Sequence, residues 1–209
     1  MYVPKSFQET DQTTLLQFVR DHSFALLITT GDDGTPLATH IPIELKPTVD
    51  GQFQLVGHLA KANPQWKQLG RDTPALAVFS GPHSYISSSW YDHVNVPTWN
   101  YLSVQITGRT AVLSDEETLE LLRQQVDKYE SRSKCPVSIE SMTESYVRKE
   151  MRGLVAFSMT IDTIQGAAKL SQNRDDKNYQ AIIAELNQQD DPNAQAVASE
   201  MAHRRPTIS

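Results

Sequence analysis

The sequence predicts a mainly β protein of one domain, an antiparallel barrel with helices at its periphery. Short strand-like segments joined by short turns dominate the first half of the chain, and most helical patterns fall in the second half. Strands and helices do not alternate regularly, which disfavours a parallel doubly wound sheet. The chain has 209 residues, an ordinary size for a single all-β barrel.

The first half of the chain reads as a short helix followed by four strands. Leu15, Leu16, Phe18 and Val19 mark an amphipathic helix over 11–21. Hydrophobic and alternating segments joined by turn residues then predict strands at 24–30, 36–45, 52–60 and 74–80. Between the last two, residues 64–69 predict one or two helical turns, with Asn63 as N-cap and Pro64 at the first helical position.

The second half contains the remaining strands and most of the helices. Ser114 and Glu117 have the spacing of a capping box at the start of a helix over 115–130, and Leu119, Leu122 and Val126 mark its apolar face. Further helices are predicted at 142–151 and 174–187. Strands are predicted at 101–113 and 154–161, and residues 163–171 either pair with the latter or leave the sheet. We expect a single domain over residues 1–187 and a helical or flexible C-terminal tail over residues 188–209.

Composition excludes several classes of protein. The formal net charge of −6 argues against strong non-specific binding to nucleic acid, which needs Lys and Arg to neutralise phosphates. The single cysteine, Cys135, excludes an internal disulfide and a cysteine-based zinc site. No apolar run approaches the length of a membrane-spanning helix, and the first ten residues lack the apolar stretch of a signal peptide. We therefore expect a cytoplasmic protein without a membrane partner.

No familiar catalytic motif identifies a reaction. The sequence has no Gly-rich phosphate loop of Rossmann or Walker type, and no HExxH, CxxC or GxSxG. His40 and His58 fall on neighbouring predicted strands, and His83 and His93 are close in sequence, so either pair could converge on a metal. Strand histidines are more often satisfied by hydrogen bonds than by metals, and no metal site is predicted. The catalytic residues stay unknown.

Two segments suggest the phosphate end of a ligand. In GHLAKANPQW (57–66), Lys61 precedes a short helix capped by Asn63, which suits an anion such as phosphate as well as it suits a plain surface turn. In KLSQNR (169–174), Asn173 suits the N-cap of the next helix. Lys169 and Gln172 are left over, and a polar ligand could use both.

The stretch GPHSYISSSWYDHVNVPTWNY (81–101) is rich in aromatic residues and poor in charge. It holds two of the three Trp and three of the seven Tyr, with no sustained helical or strand period. Such residues suit the walls and polar edges of a site for a flat ligand, of which a flavin mononucleotide is one. They suit a subunit interface equally well.

Pro42 in ATHIP (38–42) is unusual within a predicted strand, because proline cannot donate a hydrogen bond to a neighbouring strand. It implies a sheet edge, a bulge, or a neighbour other than a strand at this position.

These segments together resemble a known family. In order, MYVPKSF, THIP, GHLAKANPQW, GPHSYISSSWY, VPTWNY and KLSQNR are similar to the PaiB-type FMN-binding family, named as negative transcriptional regulators of protease synthesis and sporulation. The resemblance runs from residue 1 to about 187. It implies a split β-barrel of the flavin-reductase and pyridoxamine-phosphate-oxidase type, with FMN bound at a homodimer interface that both subunits line.

Carried over by position, the resemblance implies contacts to FMN at nine residues. These are His40, His58, Lys61, Asn63, Trp99, Asn100, Lys169, Gln172 and Asn173. The chain departs from the family pattern at Ser88, where proline is usual, and at Ala167, where a cation is usual. If the missing cation serves the phosphate, we expect weaker binding of FMN.

Other functions stay open at this point. A haem- or metal-binding split barrel would use histidines among residues 40, 58, 83 and 93, and a flavin-dependent oxidoreductase would have an unknown substrate. The family name implies regulation of transcription, but no helix pair with a basic recognition face supports direct binding of DNA.

Overall fold

The computed structural model describes residues 1–205. The strands in this part of the chain are β1 (Gln8–Glu9), β2 (Phe24–Thr30), β3 (Pro36–Pro47), β4 (Phe53–Ala60), β5 (Ala75–Ile86), β6 (Thr98–Gly108), β7 (Thr110–Val112), β8 (Leu154–Met159) and β9 (Thr163–Lys169). The α-helices are α1 (Gln12–Asp21), α2 (Asp115–Glu130), α3 (Glu144–Met151), α4 (Asp176–Gln188) and α5 (Pro192–His203). Short 3-10 helices lie at Lys5–Phe7, Pro64–Gln68, Ser88–Trp90 and Ile139–Ser141. None of the helices in residues 1–205 has both the length and the apolar character needed to cross a membrane.

The nine strands form one sheet in the order β1-β9-β6-β5-β2-β3-β4-β8-β7. The pairs β1–β9, β2–β3, β2–β5, β3–β4, β4–β8 and β7–β8 are antiparallel. The order begins at β1 and ends at β7, so the sheet is not closed among the described residues. The prediction of a mainly antiparallel β fold with peripheral helices is confirmed.

The chain divides into two compact units. Unit 1 comprises Met1–His22, Phe79–Gln105 and Ile164–Ser209, and unit 2 comprises Ser23–Val78 and Ile106–Thr163. The long strands β5 and β6 each contribute residues to both units. The domain boundary expected after residue 187 stays a prediction, and the last four residues of the expected tail lie outside the described residues.

In unit 2, Pro42 lies where strand β3 changes partners. The β2–β3 register ends at the pair Phe24 and Pro42, and the β3–β4 register begins at Ile43. The backbone N–H of Ile43 donates to the carbonyl oxygen of Ser23 at 2.7 Å. Because successive backbone N–H groups of a strand point to opposite sides, the N–H that Pro42 lacks would point to the β4 side, before that ladder starts. Proline therefore costs little at this position.

Helix α2 begins as predicted but buries a different face. Ser114 and Glu117 form the complete capping box, with hydrogen bonds of 3.2 and 2.9 Å. The predicted apolar face at Leu119, Leu122 and Val126 was wrong: these side chains are half-buried, and the buried residues are Thr118, Leu121 and Gln125. Leu121 packs with Val56 of β4 and Ala156 of β8. The sheet that α2 covers, and not the hydrophobicity of the helix alone, decides which face is buried.

In unit 1, the structure differs from expectation in three places, which are the partners of β9, the N-cap of α4 and the end of β5. Strand β9 pairs with β1 and lies next to β6, so the expectation that residues 163–171 pair with the sixth predicted strand or leave the sheet was wrong. Helix α4 is capped by Asp175 and not by Asn173, because a turn closes from the N–H of Arg174 to the carbonyl of Ser171 before the helix starts. Residues 81–86 extend β5 and are not part of a loop. Helix α5 then packs against α4 with Ala194, Val197, Ala198 and Met201 buried.

Candidate functional site

The turn after strand β4 holds Lys61 firmly by its backbone. The N–H of Lys61 donates to the carbonyl oxygen of Gly153 at 2.8 Å, and its own carbonyl accepts a hydrogen bond from Trp66 Nε1 at 3.0 Å. The side chain is exposed, and no other group within residues 1–205 forms a hydrogen bond or ion pair with its ammonium. Unit 2 therefore presents an unneutralised cation on a fixed backbone, which favours an anionic ligand.

Asn63 is bound into the protein on the same turn. Its Oδ1 accepts from the N–H of Gln65 at 3.0 Å, and its Nδ2 donates to Thr39 Oγ1 at 2.8 Å. The N-cap at Asn63 is confirmed, although the helix that follows is a 3-10 helix of five residues. Because the cap already occupies an N–H of the first turn, the positive charge of Lys61 is the stronger attraction for an anion here. Sequence reasoning missed Thr39 and Gln65, which no motif of charge or aromaticity distinguishes.

His40 lies on an exposed part of the β2–β3 hairpin. It is paired with Leu26 in the strand register, and its ring stacks on Phe24 with 5.9 Å between centroids. Phe24 is 67% exposed, which is unusual for a large apolar side chain on a strand. The two rings form an accessible surface that a flat ligand or a second subunit could cover.

His58 lies beneath helix α2 and is not exposed. Burial lowers the pKa of His58 below its usual value of 6.5, and the polar side chain of Gln125 beside it partly opposes this shift. The Nδ1 of His58 and the Nε2 of Gln125 are buried without a hydrogen-bond partner among the described residues. The protonated form of His58 is therefore disfavoured where its ring lies beside Gln125 of α2.

Unit 1 carries an exposed aromatic cluster at the adjoining ends of β5 and β6. Trp99 contacts Tyr85 edge-on at 5.9 Å and lies 6.2 Å from His83, measured between ring centroids. Trp99 is 53% exposed and Tyr85 is 46% exposed. Three aromatic rings left open to solvent on a strand face are unusual, since they cost hydrophobic free energy unless something covers them.

The rest of the aromatic stretch is anchored to helix α4 through Asp92. Its carboxylate accepts hydrogen bonds from Lys177 Nζ at 2.8 Å, Asn178 Nδ2 at 3.0 Å and His93 Nδ1 at 2.9 Å. Lys177, followed by His93 and Asn178, holds the pKa of Asp92 far below its usual range. Tyr91 is buried, with the guanidinium of Arg174 over its ring. The segment that follows the 3-10 turn at Ser88–Trp90 is thus fixed within unit 1 by Asp92 and Tyr91.

In the segment KLSQNR only Asn173 is exposed, and Lys169 and Gln172 are half-buried with partners inside the protein. Gln172 is folded onto its own turn: its Oε1 accepts from the N–H of Leu170 at 2.8 Å and its Nε2 donates to the carbonyl of Ala168 at 2.7 Å. Lys169 Nζ donates to Thr98 Oγ1 at 2.5 Å, and Asn173 is exposed. Ser171 adopts a left-handed backbone with φ of 58°, which few non-glycine residues do. This turn is a locally strained element of the kind found at ligand sites.

Asn100 lies on the buried face of β6. It is fully buried, its Oδ1 accepts from Ser171 Oγ at 3.0 Å, and its Nδ2 contacts Met201 Sδ at 3.4 Å. Its position ties the KLSQNR turn and helix α5 to the strand that carries Trp99. Asn100 therefore stabilises the packing of unit 1 from its interior through Ser171 and Met201.

The histidine pairs are not assembled into a metal centre. His40 contacts Phe24 and His58 contacts Gln125, while His83 contacts Trp99 and His93 contacts Tyr91 and Asp92. In the part of the chain that the structure describes, no group of three or more His, Cys, Asp or Glu side chains could hold a metal ion. The exposed groups described above that suit a ligand are instead the ammonium of Lys61 and two clusters of aromatic rings, Phe24 with His40 and Trp99 with Tyr85 and His83.

Comparison with known families gives one match over most of the chain. Residues 1–163 match the family described as "Putative FMN-binding domain". The protein is also similar to "Protease synthase and sporulation protein PAI 2" of Bacillus subtilis (strain 168). The two are 38% identical over 201 residues, which cover 96% of each chain.

Comparison with solved structures supports the fold. The FAD and haem binding protein from Mycobacterium smegmatis superposes with a TM-score of 0.57 at 20% identity, over 78% of this chain and 73% of that chain. The flavocytochrome Anf3 from Azotobacter vinelandii gives a TM-score of 0.56 at 20% identity, over 86% and 78% of the two chains. At this identity the likeness concerns the fold alone, and it confirms the predicted split-barrel architecture.

Proposed function

Because the chain belongs to the family of FMN-binding domains that its residues 1–163 match, we propose that it is a flavoprotein that works as a homodimer. In this proposal FMN lies at the dimer interface, and residues of both subunits line the site. The observation that carries the proposal is Lys61, whose backbone is fixed by two hydrogen bonds and whose ammonium is exposed and has no partner within residues 1–205, an arrangement that suits the phosphate of FMN.

The chemistry of the exposed residues fits the parts of FMN. A doubly charged phosphate needs cations, and Lys61 has no carboxylate partner within residues 1–205. A flavin ring needs flat or apolar walls, which the exposed Trp99 and Tyr85 of unit 1 and the Phe24–His40 pair of unit 2 could provide. Each unit by itself thus offers surface of the kind that FMN requires.

Two further residues are exposed enough to approach the ligand directly. Asn173 is exposed on the KLSQNR turn, and Lys169 is half-buried, with its ammonium bound to an uncharged hydroxyl. We assign both to direct polar contacts with FMN. Bound FMN would supply one- and two-electron redox chemistry, and these residues would orient it.

The remaining predicted contacts have internal hydrogen bonds or lie under a helix. Asn63, Asn100 and Gln172 use their side chains within the protein, so direct contact with FMN would require exchange of those bonds. His58 lies under α2 with one free ring nitrogen, Nδ1. We propose that these four residues support the site, and their direct contact with FMN stays a prediction.

Exposed aromatic surface supports the proposed homodimer. Phe24, Tyr85 and Trp99 are each more than two-fifths exposed, and large aromatic residues are enriched at subunit interfaces. We propose that a second copy of the chain covers the aromatic surface that FMN leaves open.

A role in regulating transcription is the further part of the proposal. Its support is the likeness to the Bacillus subtilis protein, whose name refers to protease synthesis and sporulation. The net charge of −6 opposes direct contact with DNA phosphates. We therefore propose regulation without strong direct DNA binding, and retention on a DNA column that decreases steeply with added salt would contradict that part.

The function is tested by neutralising the lysine. Lys61→Gln should weaken FMN binding by about ten- to a hundredfold, since hydrogen bonds to charged groups contribute about 1.5–3 kcal/mol. Riboflavin, which lacks the phosphate, should bind both proteins alike. Lys67→Gln is the matched control, because Lys67 is exposed on the 3-10 helix that follows and lies outside the proposed contacts. Equal affinity of wild type and Lys61→Gln for FMN would remove the phosphate site from the proposal.

A further inference from the structure

Gln65 is a buried polar residue with every side-chain group bonded. It is 2% exposed and is part of the 3-10 helix that follows the Lys61 turn. Its Nε2 donates to the carbonyl oxygens of Leu27 and Leu37, both at 3.1 Å, and its Oε1 accepts from Thr39 Oγ1 at 2.5 Å. Its backbone N–H donates to Asn63 Oδ1. A buried amide whose donors and acceptor are all bonded rigidifies the groups around it and specifies one arrangement of them.

The two backbone carbonyls fix the direction of every hydrogen bond in this network. A carbonyl oxygen only accepts, so the group of Gln65 that faces Leu27 and Leu37 must be the NH₂. Its oxygen then faces Thr39, whose hydroxyl must donate to it. The hydroxyl has lone pairs left, and Asn63 Nδ2 donates to it. A residue with a different donor pattern at position 65 would therefore disturb the whole chain of bonds.

The network connects the β2–β3 hairpin to the turn that presents Lys61. Leu27 lies on β2, while Leu37 and Thr39 lie on β3. On the other side, Asn63 and Gln65 fix the start of the 3-10 helix, and the next residue, Trp66, donates to the carbonyl of Lys61. The position of the Lys61 backbone thus depends on hydrogen bonds that lead back to the buried amide of Gln65.

We propose that Gln65 is a positioning residue that sets the preference of this protein for a phosphorylated flavin over an unphosphorylated one. This inference rests on the proposed function. Gln65 is buried, and its side chain is bonded within the protein, so its action on a ligand is indirect. It acts by holding Asn63 and the Lys61 turn against Thr39, so that the ammonium of Lys61 stays where a terminal phosphate reaches it.

The test compares the dissociation constants of FMN and riboflavin in variants at the two buried positions of the 3-10 helix Pro64–Gln68. Gln65→Glu keeps the shape but loses the donor to the two carbonyls. Gln65→Met keeps the volume, removes the whole amide and introduces no buried charge. The matched control is Gln68→Met, since Gln68 is 7% exposed on the same 3-10 helix and lies outside the network. Thermal unfolding of each protein without ligand shows whether it folds.

In Gln65→Met, the ratio of the riboflavin dissociation constant to the FMN dissociation constant should fall at least about tenfold, and in Gln65→Glu it should fall further. Gln68→Met should keep the wild-type ratio even if its melting temperature falls. A merely structural residue would weaken both ligands equally, so an unchanged ratio in Gln65→Met would overturn the inference. If the wild type itself binds FMN no better than riboflavin, the phosphate site of the proposed function fails instead.

Discussion

At the residue scale, the type of a side chain predicts what kind of group it can bind, but it does not predict whether that side chain is exposed. Lys61 was selected because a cation precedes a capped turn, and the structure shows it exposed with its backbone fixed. Asn100 was selected by resemblance, and it is fully buried with internal partners. Sequence motifs identify which residues matter together, but burial depends on which strand face packs inward, and residues far along the chain decide that.

Gln65 and Ser171 show what local sequence could not reveal. Gln65 has its role only because two strands place the carbonyls of Leu27 and Leu37 beside it. Ser171 takes a left-handed backbone that serine rarely adopts, and the bond to Asn100 accompanies it. Both depend on tertiary contacts, which a pattern of residue types does not contain.

His58 leads to a pH-dependent stability. Burial lowers its folded-state pKa below 6.5, so the folded protein resists protonation while the unfolded chain does not. The contribution of His58 to the free energy of unfolding is therefore greatest above about pH 6.5, where the ring is neutral in both states, and this contribution is lost as the pH falls below that value. His22, whose pKa burial also lowers, acts in the same direction. Urea unfolding at a series of pH values from 7.5 to about 5 measures the effect.

We expect His58→Gln to flatten the loss of unfolding free energy below about pH 6.5, with the His22 contribution remaining. His83→Gln, changed at an exposed histidine of unit 1, controls for removal of one imidazole. A wild-type slope that survives unaltered in His58→Gln would show that the histidine under α2 is not the titrating group.

At the element scale, boundaries with explicit signals were predicted well. The capping box of α2, the Asn63 cap and the β2–β3 hairpin all follow from local residue chemistry, and all three are present. The predictions that failed concern faces and partners. Periodicity selected Leu119, Leu122 and Val126, but the β4–β8 surface buries Leu121 and the polar Gln125. A helix with apolar residues on more than one side needs its neighbour to fix the rotation.

The capping box of α2 should have a measurable share in stability. Ser114→Ala removes the acceptor for the N–H of Glu117, so the free energy of unfolding should fall by about 1 kcal/mol. Denaturant unfolding measures it, with Ser133→Ala beyond the end of the helix as control. Equal stability of the two variants would mean that packing against β4 and β8, and not the cap, determines where α2 begins.

At the scale of the whole molecule, fold and family agree. The antiparallel sheet, the match of residues 1–163 and the likeness to flavin-binding proteins of known structure point to one architecture. The sequence motifs predicted that architecture because six of them occur in the family's order. The proposed dimer rests on surfaces that no local motif marks, such as the exposed rings of Phe24 and Trp99.

The measurement that tests the central claim most directly is a flavin titration of the freshly purified protein. We predict a flavin absorbance spectrum or a saturable response to added FMN, one FMN per chain, and a molar mass of twice 23.5 kDa. At a hundredfold excess over the dissociation constant, FMN should stabilise the fold by about 2.7 kcal/mol and raise the melting temperature. A protein that stays colourless after reconstitution, with an unchanged melting temperature, would contradict the account.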